Sequence, residues 1–250
     1  MQSSGFPLTF EVGRVRWSAS WFMTLLTVAG VVLFILLGRW QWHRAAEKRA
    51  LYAQFAVGAA APVDLGARPL ATVARYTQLR LQGRYDRAHQ FVLDNMSDQD
   101  RPGYEVLTPL ALTDGRTVMV NRGWVPQTQN GRGLPDVQLP AAAAGIQTVI
   151  GRIDNLPVVG ISLGHIPPQP GAHWPKLTSF PTTADLSAAL GQPLQGRQLL
   201  LNPGQPLGYT RDWHPAGFPP DRYLSYAIQW WCFAALALIL YGVLNRRKSS

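Results

Sequence analysis

Two long runs without a charged residue constrain this chain more than anything else in it. Residues 19–38 (ASWFMTLLTVAGVVLFILLG) form the first, and residues 223–244 (YLSYAIQWWCFAALALILYGVL) the second. At ~1.5 Å rise per residue, a helix over either run crosses the ~30 Å hydrocarbon core of a bilayer. Trp17, Trp21, Trp40 and Trp42 flank the first run, and Tyr223, Tyr226 and Tyr241 mark the second. Aromatics at the ends of an apolar run are the interfacial belt of a membrane span. A soluble core helix can be as apolar, but two such runs near the two ends of one chain argue against that. A cleaved signal peptide would be shorter, with a small-residue cleavage site after it. Here Arg39–Trp40–Gln41–Trp42 follows, so the first run reads as an uncleaved anchor.

Two spans divide the chain into a short N-terminus (1–18), a span (19–38), a domain (39–222), a second span (223–244) and a tail (245–250). Arg14 and Arg16 precede the first span, and Arg246, Arg247 and Lys248 follow the second. The positive-inside rule then places both termini in the cytoplasm or its equivalent and the domain on the other side of the membrane. Arg39, Arg44, Lys48 and Arg49 lie on the other side, but long translocated domains are less bound by the rule. Much of the formal charge of +9 is therefore juxtamembrane, where lipid phosphate is a natural partner. No Lys/Arg run with interleaved aromatics occurs in the domain, which argues against nucleic acid.

Residues 39–55 lack proline and internal glycine, so the first helix is expected to continue beyond the membrane. Pro62 and Gly66 end that pattern, and strands follow. Residues 77–85 alternate, with Leu79 and Leu81 on one face, and residues 90–95 are a short apolar run. Asp114–Gly115 between the apolar runs 104–112 and 117–121 is a strong hairpin signal. Pro109 inside the first of these predicts an edge or a bulge. Residues 148–155 and 198–202 are further strand candidates, and 127–145 reads as a loop. One short helix is predicted, capped by Thr182 with Asp185 three residues on and stopped by Gly191. The fold class is thus a membrane α+β protein, two transmembrane helices flanking a mainly antiparallel β domain.

Motifs for bond chemistry are scarce. Gly160–Ile161–Ser162–Leu163–Gly164 matches a nucleophile elbow, and Asp185 and His214 follow in hydrolase order. The helix that must follow the serine is blocked by Pro167, Pro168 and Pro170. A membrane-anchored serine hydrolase is accordingly a remote alternative, and no catalytic residue is assigned. One cysteine excludes Cys-rich metal sites, and no two of the five histidines stand three or four residues apart, so no metal site is assigned. On the juxtamembrane helix, Trp40, Arg44, Lys48 and Leu51 fall on one stripe. Two cations a turn apart favour an anion on that face: lipid phosphate, a carboxylate of the domain, or haem propionates. His43 and Tyr223 lie at similar depth on the same side, and either is a possible haem-iron ligand.

The stretches LGRWQWHRAAEKRAL (37–51), GRYDRAHQFVLDN (83–95), GYEVLTPLALTDGRTVMVNRGWVP (103–126) and YAIQWWCFA (226–234) resemble the Surfeit locus protein 1 family. Asn121–Arg122–Gly123–Trp124–Val125–Pro126 is the most specific block. The resemblance implies a cytochrome c oxidase assembly factor that assists maturation of oxidase subunit I, working with other assembly factors. The absence of an Arg/Ser-rich leader before residue 19 points to a bacterial member. Such members imply haem a as a transient cofactor, with a histidine three residues before the Tyr–Ala pair of the second span. Here that position is Tyr223, so His43, Arg44, Lys48 and Tyr223 are the cofactor-binding candidates. Trp40, Gln41, Arg122, Trp124, Gln229 and Trp230 are the candidates for client contact. Arg122 and Trp124 are expected to anchor the hairpin or present a surface, and Gln229 to face the first span or the client. The leading function is aid to haem a delivery or insertion; the alternative is a cofactor-free membrane chaperone.

Overall fold

The computed structural model describes residues 8–12, 15–58, 60–128, 133–158 and 164–248. The serine of the elbow motif, Ser162, lies outside them. The chain falls into two compact units, one of residues 1–52 with 216–250, the other of residues 53–215.

The first unit opens with strands β1 (Leu8–Val12) and β2 (Val15–Ala19), followed by helix α1 (Trp21–Val57), which runs on into the second unit. The apolar run and the juxtamembrane segment are thus one continuous helix, as the lack of Pro and Gly after residue 38 predicts. In the second unit come β3 (Val63–Asp64), β4 (Gln78–Tyr85), β5 (Phe91–Asp98), β6 (Arg101–Leu112), β7 (Thr117–Pro126), β8 (Gln147–Asp154) and β9 (Lys176–Thr178). Helix α2 (Thr183–Leu190) and β10 (Gln198–Leu201) complete it. Helix α3 (Pro220–Leu244) and β11 (Arg246–Lys248) return to the first unit. Both long helices are apolar enough to cross a membrane.

The second unit is a barrel. β4 pairs with β6, β6 with β7, β7 with β10 in parallel, β10 with β8, and β8 with β4. Counted as barrel strands one to five, the order 1-2-3-5-4-1 is that of an OB-type Greek-key barrel. β5 is inserted after the first barrel strand and extends the sheet beside β6, with β9 at its edge. The alternation of β4 turns Leu79, Leu81 and Tyr85 inward, where they meet Leu110, Val118, Val120, Val149, Ile153, Leu199 and Leu201. β7 is buried on both faces, because Met119 points out into a second cluster with Leu107 and Leu186 of α2. α2 has the predicted ends: Thr182 and Asp185 form a reciprocal capping box, and Gly191 closes the helix at φ 69°.

Pro109 departs from expectation. β6 is an interior strand, and its register shift lies between Glu105 and Leu107, not at the proline. Phe91 of β5 pairs with Leu107 and Tyr85 of β4 with Leu110, so Pro109 sits where one neighbour hands over to the other. Its carbonyl accepts from Asp86 N at 2.9 Å. The N and O of one strand residue point the same way, so the missing N–H falls at this gap and breaks no ladder. A second departure is the three-stranded sheet β1–β2–β11, which joins the two segments flanking the spans. It places Arg247 opposite Arg16 in register, a pairing across most of the chain that no local pattern announces.

Candidate functional site

In the first unit, Gly38 of α1 makes room for a large side chain of α3. Gly38 and Ala45 of α1 and Ala227 and Ala234 of α3 are buried, and a Cβ at Gly38 would overlap the Trp231 indole. Phe34 stacks on Trp230 with ring centroids 5.7 Å apart, and Trp42 meets Trp231 at 5.9 Å. Arg49 lies over the Trp42 ring at 5.5 Å. Thr24 and Thr27 donate to the carbonyls of Ser20 and Met23, and Thr24 also shares a hydrogen bond with Tyr241 of the other helix.

The candidate cations already have partners. Arg44 donates to Glu47 at 2.7 Å, and Lys48 donates to the carbonyl of Ala216 at 2.7 Å. The anion that two cations on one stripe call for is, at Arg44, its own Glu47 one turn on. That carboxylate raises the Arg44 pKa, and Tyr223 adds to the same effect, so the phenol stands beside the guanidinium. His43 is exposed, two residues from Gln41 and from buried Ala45, and so projects from the opposite side of α1. His43 and Tyr223 are therefore not brought together. Gln41 is half-buried, with a buried Oε1 that has no partner among the described residues. Trp40 is exposed, whereas Trp230 is half-buried in its stack on Phe34. Gln229 is exposed, off the stripe of Tyr223, Ala227, Trp230 and Ala234 that meets α1; it does not face the first span.

In the second unit, the Asn121–Arg122–Gly123–Trp124 block works as a clasp. Arg122 is 3% exposed and donates to Leu207 O at 2.7 Å, Gln90 Oε1 at 3.0 Å and Val137 O at 3.1 Å. Its guanidinium lies over the Tyr209 ring at 4.8 Å, and burial pushes its pKa down. Gly123, at φ 112°, lets Thr210 approach: a Cβ there would stand 2.5 Å from Thr210 O. Trp124 and Thr210 then exchange both main-chain hydrogen bonds, at 2.7 and 3.2 Å. Of the two expectations for Arg122 and Trp124, the buried positions are those of anchors. Asn121 donates to Glu105 Oε2 at 2.6 Å and to Gln198 Oε1 at 3.2 Å, tying three strands.

Residues not singled out by the sequence complete this region. Tyr85 is 4% exposed, its hydroxyl has no partner among the described residues, and burial pushes its pKa up to about 12. Burial also raises the Glu105 pKa; the Asn121 hydrogen bond eases it, Asp154 adds to the rise and His214 offsets a little of it. Neither residue carries a local signal, since alternation alone cannot tell a buried polar side chain from an exposed one. The remaining hydrolase candidates are otherwise engaged. Asp185 accepts from Thr182 and lies 3.6 Å from His165, and His214 Nδ1 meets the Asp212 carbonyl.

Fold and site together define a membrane-associated α+β protein, in which two apolar helices flank an OB-type barrel closed by a buried arginine clasp. The chain belongs to the SURF1 family, whose model matches residues 28–235. That family is associated with cytochrome c oxidase assembly. No curated protein matches the chain.

Proposed function

We propose that the chain is a two-span inner-membrane factor that docks on oxidase subunit I and assists its maturation as a chaperone. Both termini are cytoplasmic and the barrel periplasmic in this reading, which the basic residues flanking the spans support. Gln229 carries the proposal. It is a polar side chain within an apolar helix, it points away from α1, and it has no partner among the described residues. In hydrocarbon an unpaired amide is costly, and a protein neighbour with a hydrogen-bonding group relieves it.

The cofactor-free form of this function is the one the geometry supports best. Arg44 and Lys48 are occupied, and His43 and Tyr223 face apart. The test is oxidase assembly in a strain lacking the chain, complemented with wild type or Gln229→Leu. Wild type should restore oxidase and co-purify with subunit I, and Gln229→Leu should lose most of that co-purification while remaining in the membrane. Equal recovery by the variant overturns the docking reading. A stoichiometric haem a band in the reduced visible spectrum of the purified protein would instead favour a haem carrier ligated by His43 or Tyr223 alone.

A further inference from the structure

The three-stranded sheet of the first unit has two unlike faces. Residues directly opposite across an antiparallel ladder share a face, and neighbours along a strand alternate between faces. The register pairs Leu8 with Ala19, Phe10 with Trp17 and Val12 with Val15, so every apolar residue of β1 and β2 falls on one face. Thr9 with Ser18, and Glu11 with Arg16, fall on the other. β11 adds Arg246 opposite Trp17 and Lys248 opposite Val15 on the apolar face, and Arg247 opposite Arg16 on the polar one. In a soluble domain such a sheet lays its apolar face on a core. Here Ala19, next to α1, is buried, but among the described residues the three strands pack substantially only on one another.

What covers the face follows from where the sheet is tied. A single residue, Ser20, separates β2 from α1, and a single residue, Asn245, separates α3 from β11. Thr24 and Tyr241, each about a turn inside those helix ends, share a hydrogen bond of 2.6 Å that holds the two ends level. One extended residue advances only ~3.3 Å, whereas the headgroup layer on one side of a bilayer is about 5–8 Å thick. With both helices in the membrane, the sheet is therefore held at the headgroups. It does not sink into hydrocarbon, because β1 and β11 are edge strands and an open sheet edge is not tolerated there. The strands also hold four basic residues, Arg16, Arg246, Arg247 and Lys248, against one acid, Glu11. Arg16 and Arg247 stand directly opposite, an unfavourable pairing that a nearby anion relieves.

We propose that this sheet lies flat on the bilayer, its apolar face at the boundary of headgroups and acyl chains and the cations of β11 beside anionic lipid phosphates. An aromatic and aliphatic face edged by cations is the composition of an interfacial element. Lysine and arginine stems lie along apolar surface while their heads reach phosphate. The proposal rests on the reading of α1 and α3 as spans, and it gives a lipid partner to residues that docking on the oxidase does not use.

The test is spin-label accessibility in the full chain carrying Cys232→Ser, held in bilayer discs of phosphatidylethanolamine with about one quarter phosphatidylglycerol. Nitroxides are attached singly at Thr9→Cys, Phe10→Cys and, within the span, Leu33→Cys. Collision with oxygen reports apolar surroundings, and collision with a water-soluble nickel chelate reports water. The oxygen-to-nickel ratio at Phe10→Cys should exceed that at Thr9→Cys roughly fivefold, and Arg246→Gln with Lys248→Gln should cut the contrast by about half. Equal ratios at positions 9 and 10 overturn the proposal. A contrast that is unchanged in the double variant and on pure phosphatidylcholine overturns its assignment to anionic lipid. Protection of the Phe10→Cys label from both reagents, with spectral broadening lost on dilution by unlabelled chain, overturns it in favour of a second copy. Leu33→Cys separates the two readings. A low ratio there means that α1 does not span and both fall, whereas a high ratio with no contrast in the sheet removes this proposal alone.

Discussion

The helix pair and the barrel handle buried polarity by opposite means. In the helix pair, Gly38, Ala45, Ala227 and Ala234 are buried, Gly38 against the Trp231 ring, and the hydroxyls of Thr24, Thr27 and Ser225 turn back to carbonyls one turn away, with one added bond between Thr24 and Tyr241. The barrel instead takes in Arg122, Asn121, Gln90, Gln198 and Thr108 and joins strands through them. A helix satisfies its own backbone, so its side chains need only fit. A barrel whose last strand is parallel to a distant one needs long-range links that hold register, and a buried arginine with its several donors supplies them. Stability in the barrel should therefore depend on hydrogen-bond chemistry, and in the helix pair on shape.

Substitutions in both regions sharpen or break that contrast, read by chemical or thermal unfolding of the detergent-solubilised protein. Arg122→Ala has the largest expected effect, a loss of about 3–4 kcal/mol, because the carbonyls of Leu207 and Val137 and the Gln90 amide oxygen lose their donor together. Arg122→Lys should recover only a small part, since one ammonium cannot reach all three acceptors. Gly123→Ala follows at about 2–3 kcal/mol, as it places a Cβ against Thr210 O at a φ that alanine resists. In the helix pair, Gly38→Ala should destabilise by only about 1 kcal/mol, because the atoms it meets belong to one side chain, Trp231. On a Trp231→Ala background the same change should be close to neutral, and a persistent loss there would mean that shape at this crossing is not the controlling factor.

The smallest effect is at Glu105 and depends on pH. Burial lifts its folded pKa above the unfolded value, so the cost of the charge is absent at acid pH and appears as pH rises through the folded pKa. Glu105→Gln should accordingly be neutral near pH ~4 and stabilising by about 1 kcal/mol near pH ~8. A variant less stable than wild type at the higher pH would mean that the Glu105 carboxylate is better compensated than its burial implies.

Features set by neighbours in sequence are legible without the structure. The spans, the Asp114–Gly115 turn, the alternation of β4 and the Thr182–Asp185 cap each depend on a few adjacent residues. Pro109 misleads because its exemption depends on two strands, β4 and β5, sharing one side of β6. Burial of Arg122 and Glu105 is invisible for a related reason. An ionisable residue in an apolar stretch reads as exposed unless its partners are known, and theirs come from as far away as Leu207 and Asn121. On α3, periodicity shows that Gln229 needs a partner, but only the stripe of Ala227 and Ala234 shows that α1 does not provide it.

The parallel pairing of β7 with β10 also sets an order of events. Leu200 lies opposite Asn121, and the chain between them includes β8, β9 and α2. Until residue 201 has been synthesised, the barrel cannot close, and β7 and β8 each keep an edge unpaired. Closure then requires a long loop to be drawn in before the contact rewards it, which makes such topologies slow to fold and open to mispairing. A nascent chain stalled short of β10 should be protease-sensitive throughout the barrel, and one extended past it protected, so biogenesis of this protein turns on a strand of four residues.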